Sequence, residues 1–369
     1  MAPASADRAI PRLQGAHPDD VRTAIETRDP LPGTRGFAGR LDGRLVRDVL
    51  GRYPLFVERA DPTAWAFEPG DLTDPIAVPA GHRQDADGFT RCWSLPRRSP
   101  RTGRRAIVAA RSALETSLDA VQTDGLAVAF SGGVDSALLA ARLEVPLYVA
   151  GFPDSHDVGA ARTAAALLDA DLRVVELDHG SLEERVPDVV TATGRTNAMD
   201  VEIALPLYLT AVRAAADGFE RLAVGQGADE LFGGYAKVAM APEDPRVEAD
   251  TVRCARREVL ATLPAQLPRD VLAIRAGGVE PRMPLLDDCV VDAALSLPGS
   301  LLVSARGDRK YALRLAARAW LPDRIAFREK KALQYGSLVA RELDRLARQA
   351  GFKRRMGDHV TRYIESLKG

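Results

Sequence analysis

Two short stretches of the chain carry residue types that handle phosphate and a divalent cation. The first begins where Leu126-Ala127-Val128-Ala129-Phe130, an apolar run of strand length, passes directly into Ser131-Gly132-Gly133-Val134-Asp135-Ser136 and then into an Ala/Leu-rich segment of helical pattern. Gly132 and Gly133 let the backbone come close to an anion, the free N–H groups of the helix start point at it, and the Ser131 and Ser136 hydroxyls add donors. The loop is not of the kind that ends in Gly-Lys followed by Ser or Thr, because it has no Lys. The second stretch, Gly225-Gln226-Gly227-Ala228-Asp229-Glu230, closes a short strand-like run, Arg221 to Val224. Asp135 and Asp229 would then both leave the carboxyl edge of one parallel sheet, the edge at which open α/β sheets bind ligands. Two carboxylates there suit one Mg²⁺, which prefers oxygen and shares its shell with phosphate. The plainer alternative for each stretch is a glycine turn with an acid capping the next helix.

These stretches resemble a known family. SGGVDS is similar to the SGGxDS loop of the ATP pyrophosphatases, which cleave ATP between the α and β phosphates. Gly225 to Tyr235, GQGADELFGGY, looks like the GEGADELFGGY of asparagine synthetases and the related β-lactam synthetases. Gly278 to Asp287, Lys310 to Arg314, and Leu321-Pro322 through Arg328-Glu329-Lys330 resemble three further motifs of that family, in its order. The resemblance implies ATP and Mg²⁺ as cofactors, with Asp135 and Asp229 holding the metal. It places the nucleotide on Ser131, Gly132, Gly133, Asp135, Ser136, Phe152, Gly225 and Gly227. Lys330 and Lys310 become the candidates to meet the charge that grows on leaving pyrophosphate, with Arg314 and Arg328 nearby. It further implies a carbon–nitrogen ligase: a carboxylate, of aspartate or a related molecule, is adenylated and then attacked by an amine or ammonia. The lysines give a separate hint. The chain has only six, none before Lys237, and three of them (Lys310, Lys330, Lys331) fall in this stretch; an ammonium is a compact point charge that can release a proton, which guanidinium does not do.

The chain also departs from the family. Glutamine-dependent members have a Cys directly after Met, where this sequence has Ala2 and its nearest cysteine is Cys92. Leu45 to Phe56, LVRDVLGRYPLF, nevertheless resembles a glutaminase-domain motif, as does Val78-Pro79-Ala80-Gly81-His82. Residues 37–95 therefore read as a shortened, inactive glutaminase-like β domain, and nitrogen would come from free ammonia, a separate glutaminase subunit, or an amine on the substrate. Gln226 stands where asparagine synthetases have Glu and cannot act as a base. Asn197 to Glu202 shows no cation for an α-carboxylate, which sets aspartate itself in question.

The elements that must position these residues form an α/β pattern. At 369 residues the chain favours two domains. Residues 1–36 mix Pro, Gly, Asp and Arg as a loosely ordered arm would, and short apolar pieces between turns over 37–95 predict a small β-rich domain. Residues 96–105, with five Arg, read as a linker, and a helix is expected over 106–121. Strands at Leu126–Phe130, Pro146–Phe152, Leu172–Leu177 and Arg221–Val224, alternating with helical stretches, predict a parallel sheet with helices on both faces. A mostly helical part, broken at Pro264, Pro268, Pro284, Pro298 and Pro322, completes a synthetase domain over 106–350, followed by a basic tail at 351–369.

Composition narrows the function. The 50 basic and 51 acidic residues nearly cancel, which weighs against nucleic acid or an anionic membrane as the main partner. Cys92, Cys254 and Cys289 make no CxxC pair, and His17, His82, His156, His179 and His359 no metal spacing. Without a leader pattern or an apolar run of about 18 residues, a cytoplasmic protein is expected. Two other readings stay open: RNA modification by base adenylation, on the arginines of the linker and Lys353-Arg354-Arg355, and a catalytically silent ATP-binding homologue, on Gln226.

Overall fold

The computed structural model describes residues 12–86, 88–241, 251–328 and 336–368. The N-terminal unit contains β1 (Arg12–Gln14), α1 (Pro18–Thr27), β2 (Ala38–Leu41), β3 (Arg44–Arg47), β4 (Phe56–Glu58), β5 (Trp65–Ala66), β6 (Pro75–Ala77), β7 (His82–Asp85) and β8 (Gly88–Arg91). Its strands make an antiparallel sheet in the order β1-β2-β3-β7-β8 and a three-stranded sheet in the order β5-β4-β6, so the β-rich expectation matches. The loosely ordered arm does not hold for residues 12–36. β1 pairs with β2, and α1 starts on Pro18 with Asp19 and Asp20 in its first turn. Val21 and Ala24 are fully buried, and the Trp93 indole donates to the Ala24 carbonyl at 3.2 Å. Two buried positions in a ten-residue helix leave no periodic signature, so tertiary burial rather than pattern orders this segment.

Residues 96–102 run extended into α2 (Gly103–Asp119) and are pinned along their length. Arg98 pairs with Asp292 at 2.7 Å, and the Arg101 N–H donates to the Ser296 carbonyl at 2.8 Å. This linker is stitched to the larger unit.

That unit is built on β9 (Leu126–Ala129), α3 (Val134–Leu143), β10 (Leu147–Gly151), α4 (His156–Leu168), β11 (Leu172–Glu176), α5 (His179–Thr193), α6 (Ala198–Ala216) and β12 (Arg221–Ala223). Then come α7 (Ala228–Phe232), α8 (Ala236–Met240), α9 (Val252–Leu260), α10 (Leu263–Ala276), β13 (Glu280–Arg282), α11 (Asp288–Leu295), α12 (Gly299–Leu302), α13 (Tyr311–Ala317) and α14 (Asp323–Ala326). The five strands are parallel in the order β11-β10-β9-β12-β13. Their alternation sorts the two faces: Leu126 and Val128 pack with Leu114 and Leu138, whereas Ala127 and Leu222 pack with Leu207 and Ala211 of α6 and Ile274 of α10. Helices thus cover both faces, as a buried parallel sheet requires. The strand β13 was not foreseen. It has three residues with Pro281 at its centre, a combination tolerated at a sheet edge.

Pro268 does not break a helix. It lies inside α10, where its missing N–H leaves the Pro264 carbonyl without its usual helical partner, and Arg47 Nη2 stands 3.4 Å from that oxygen. The basic tail is folded as well: helices Val339–Gln349 and His359–Leu367 pack together, with Val360, Tyr363 and Ile364 buried at helical spacing behind the basic residues.

The two units share one apolar core, which runs from Val21, Phe37, Leu50 and Trp93 into Leu114, Leu286 and Val290. A buried charge cluster crosses the same boundary. Arg52 Nε donates to Asp48 Oδ1 at 2.9 Å, while its Nη1 donates to the Leu286 carbonyl at 2.7 Å and lies 2.8 Å from Asp288 Oδ1. Asp288 Oδ2 in turn accepts from the Thr34 N–H at 2.7 Å and from its hydroxyl at 3.1 Å.

Candidate functional site

The turn between β9 and α3 places Ser131, Gly132, Gly133, Asp135 and Ser136 at the carboxyl edge of the sheet. Ser136 Oγ accepts from the Ser131 N–H at 3.2 Å, which holds the turn closed on itself. The neighbouring strand β12 ends one residue before Val224, and Gly225 follows; a Cβ at Gly225 would sit 2.9 Å from Asp135 Cβ, so the two loops touch backbone to side chain. Gly227 and then the short helix α7 carry Asp229 across from Asp135.

Between these two acids stands Lys310. Its Nζ lies 2.5 Å from Asp135 Oδ2 and 2.9 Å from Asp229 Oδ2, with 10% of the lysine side chain exposed. Burial alone would lower the pKa of this ammonium, but the two carboxylates outweigh it and hold the value raised. Lys310 also has a φ of 57°, a left-handed conformation that costs a non-glycine residue about 1–3 kcal/mol and persists where the surroundings over-determine it. The approach leaves no room at Gly234, where a Cβ would fall 1.8 Å from Asp229 Oδ1 and 2.4 Å from Lys310 Cε. The second glycine of the Gly-Gly-Tyr run is therefore required by contact.

Asp135 Oδ1 is a buried acceptor without a hydrogen-bond partner among the described residues. An unmatched carboxylate oxygen beside a phosphate-type turn, with a second carboxylate facing it, fits Mg²⁺ in both ligand chemistry and number, since that ion takes one or two protein carboxylates and completes its shell with phosphate and water. No group of three or more His, Cys, Asp or Glu side chains with metal-site geometry occurs among the described residues.

A cavity of about 540 Å³ opens over this edge. Arg309, Lys310, Arg314 and Arg328 line one side of it. Their guanidiniums are anchored by carbonyls: Arg309 to Gly234 at 2.7 Å, Arg314 to Ala326 at 2.8 Å, and Arg328 to Ala160 at 2.9 Å. Arg314 and Arg328 are both among the residues that line the cavity. Lys330 lies outside the described residues, as does Lys331. Phe152 does not line the cavity; its ring packs edge-on to His179, with centroids 6.0 Å apart, against the apolar cluster of α5 and α6. The strand β10 ends at Gly151, one residue before Phe152.

Gln226 does line the cavity, and its Nε2 donates to Asp270 Oδ2 at 3.0 Å. Asp270 Oδ1 accepts from Arg269 Nε at 2.7 Å, and Arg269 Nη1 reaches Asp200 Oδ1 at 2.8 Å. Sequence reasoning missed Arg269 and Asp270, which sit in α10 outside every motif. It also passed over the pairing of Glu230 with Tyr235, whose hydroxyl donates at 2.6 Å. Burial pushes the Glu230 carboxyl up, against the hydrogen bond from Tyr235, and the charge of Asp229 adds to the rise.

A parallel sheet with a glycine-rich turn, two facing acids and a cationic wall at its carboxyl edge has the layout of an α/β phosphate-binding protein. A family model described as asparagine synthase matches residues 109–272 and 240–359. The chain belongs to the asparagine synthase family. It is 32% identical over 280 residues to the Methanocaldococcus jannaschii protein named "Putative asparagine synthetase 1 (glutamine-hydrolyzing)", covering 66% of this chain and 51% of that one. It is 27% identical over 229 residues to the glutamine-hydrolyzing asparagine synthetase B of Escherichia coli, covering 57% and 41%. With the glutamine-hydrolyzing asparagine synthetase 1 of Arabidopsis thaliana it shares 25% identity over 329 residues, 79% and 55% of the two chains. The chain spans about half the length of the curated relatives it matches.

Proposed function

We propose that this protein is an ATP-dependent ligase that activates a substrate carboxylate with release of AMP and pyrophosphate and passes it to an amine or ammonia. The observation that carries the reading is the convergence of Asp135 and Asp229, from two neighbouring strand ends, on one buried ammonium beside the Ser131–Ser136 turn. In this reading the turn and the α3 N-terminus receive the phosphates of ATP, and Gly225 and Gly227 allow the nucleotide to approach the β12 edge. Asp135 and Asp229 would hold Mg²⁺, which supplies positive charge to the phosphates when bound. Lys310, Arg314 and Arg328 face the leaving pyrophosphate, the function also proposed for Lys330. Membership of the family supports the class of reaction.

Glutaminase chemistry in cis is not part of the proposal. In the β unit, Arg47 is spent on backbone carbonyls, donating to Tyr53 at 2.9 Å, Val78 at 2.7 Å and Gly51 at 2.8 Å. The unit's cysteine, Cys92, has its thiol pushed up by burial, the opposite of an activated nucleophile. Among the described residues no helix is long and apolar enough to cross a membrane, and Arg98 of the linker is engaged by Asp292, which removes it from a basic face for RNA.

The test is pyrophosphate release with ATP, Mg²⁺ and a panel of carboxylates, with and without ammonium. Turnover that requires both a carboxylate and a nitrogen nucleophile supports the ligase; nucleotide binding with no release for any carboxylate would favour the silent homologue instead.

A further inference from the structure

The cavity has two sides of different chemistry. The glycine-rich β9–α3 turn and four cations, Arg309, Lys310, Arg314 and Arg328, line one side. On the side formed by α6 and α10, Met199, Ile203, Leu263 and Leu267 face the same space. Met199 is 60% exposed, an apolar surface left uncovered at the opening of a polar site.

The charged groups on this side are committed to one another. Arg269, 7% exposed, is held by Asp270 at 2.7 Å and by Asp200 at 2.8 Å. The other oxygen of Asp200 takes Arg195 at 3.0 Å, and the other oxygen of Asp270 takes the Gln226 amide at 3.0 Å. Two guanidiniums and two carboxylates cancel, and Gln226 and Gln266 add no charge. A carboxylate brought here loses water and finds a guanidinium that already has two anionic partners, so among the described residues no ion pair on this side offsets its desolvation. An apolar group loses nothing and covers Met199 and Ile203.

From this we infer that the acceptor is a monocarboxylate with an apolar body, and that the cage of Asp200 and Asp270 around Arg269 excludes aspartate. The inference rests on the ligase reading: the carboxylate to be activated points toward the β9–α3 turn, and the remainder of the acceptor lies along α6. Arg269 is thereby a specificity-determining residue, set by its partners.

The experiment is calorimetric titration of the full chain, with Mg²⁺ and a non-hydrolysable ATP analogue, using hexanoate, acetate and L-aspartate. Hexanoate is expected to bind at least about tenfold more tightly than acetate, and aspartate to give no saturable heat. Aspartate binding more tightly than hexanoate overturns the inference and leaves the ligase reading in place. If the ATP analogue itself does not bind, the ligase reading falls and the inference with it. Asp200→Asn removes one of the two charges that hold Arg269; it is expected to bring aspartate into the measurable range with a gain of about tenfold, with hexanoate within about twofold of the unsubstituted protein. An unchanged response to aspartate in an Asp200→Asn protein of normal melting temperature removes Arg269 from the role.

Discussion

Arg52 and Lys310 each stand between two aspartates, and they differ in burial and in what lies beside them. Arg52 lies between Asp48 and Asp288, with all three side chains about 1% exposed. Lys310 lies between Asp135 and Asp229, the first 12% and the second 47% exposed, at the wall of the cavity. Around Arg52 the acids collect further donors: Asp48 also accepts from the Leu50 and Arg52 N–H groups at 2.9 and 3.0 Å, and Asp288 Oδ2 from Thr34, while Asp288 Oδ1 has no hydrogen bond among the described residues and lies 2.8 Å from Arg52 Nη1. Around Lys310 one oxygen of Asp135 is left over. The planar guanidinium suits a finished joint, and the point-charge ammonium suits a site that must take in something else. A buried triad is thus no sign of function by itself; what distinguishes the second one is its open side, with Asp229 47% exposed at the wall of the cavity.

The largest expected effect comes from breaking the open triad. Asp135→Asn and Asp229→Asn should each cut pyrophosphate release by about a thousandfold or more, equivalent to about 4 kcal/mol of barrier, with the melting temperature nearly unchanged. Activity close to that of the unsubstituted protein in either variant would remove the metal assignment. Breaking the closed triad should do the reverse. Arg52→Met leaves two buried carboxylates without their cation, a change that costs about 3–5 kcal/mol of stability, readable by denaturant unfolding; a loss under about 1 kcal/mol would show that Arg52 is incidental to the joint.

Gln226→Glu sharpens the comparison, because it sets a carboxylate against Asp270 where an amide now donates. The substitution should destabilise the protein by about 1–3 kcal/mol, readable by denaturant unfolding. It should quicken amide formation with ammonia only if the new carboxylate is free to take up the proton. Unchanged stability would mean that Asp270 and residue 226 do not interact. The smallest effect concerns a carboxyl whose surroundings oppose its charge: Glu202, pushed up to about 7 by burial and then by the charge of Asp344. Its folded-state value lies above the ordinary one, so its contribution favours folding below about pH 4 and is lost as pH rises through about 7. Glu202→Gln should therefore raise the melting temperature by a few degrees at pH 8 relative to pH 5, and an identical pH profile in both proteins would show that Glu202 is not desolvated.

Much of this was legible in the sequence, for reasons that differ by region. Four of the five parallel strands were found because they are apolar runs bounded by turns, and Asp135 and Asp229 because each follows such a run in a glycine-rich turn. β13 was invisible, being three residues around a proline, and its place in the sheet depends on pairing with β12. Phe152 was placed one residue too generously: its strand ends before it, and the ring follows the helix side. Arg269 and Asp270 carry no local signal, since their meaning comes from Asp200 and Gln226, which lie 69 and 44 residues away. Residues 12–36 were misread for a related cause. Val21 and Ala24 are ordinary in sequence and decisive only once Trp93 closes over them.

Leu286 has one more consequence. Its carbonyl is held by Arg52 of the N-terminal unit, while its side chain fills the space in which a Cβ on Gly227 would fall 2.3 Å from Cδ2. The residue that receives the clamp is thus the one that seats the loop bearing Gln226 and Asp229. Folding of the β unit and ordering of the nucleotide edge are then a single cooperative event: the chain should melt in one transition, and a ligand that engages only the Gly225–Asp229 loop should slow amide exchange in β2 and β3, strands that it never touches.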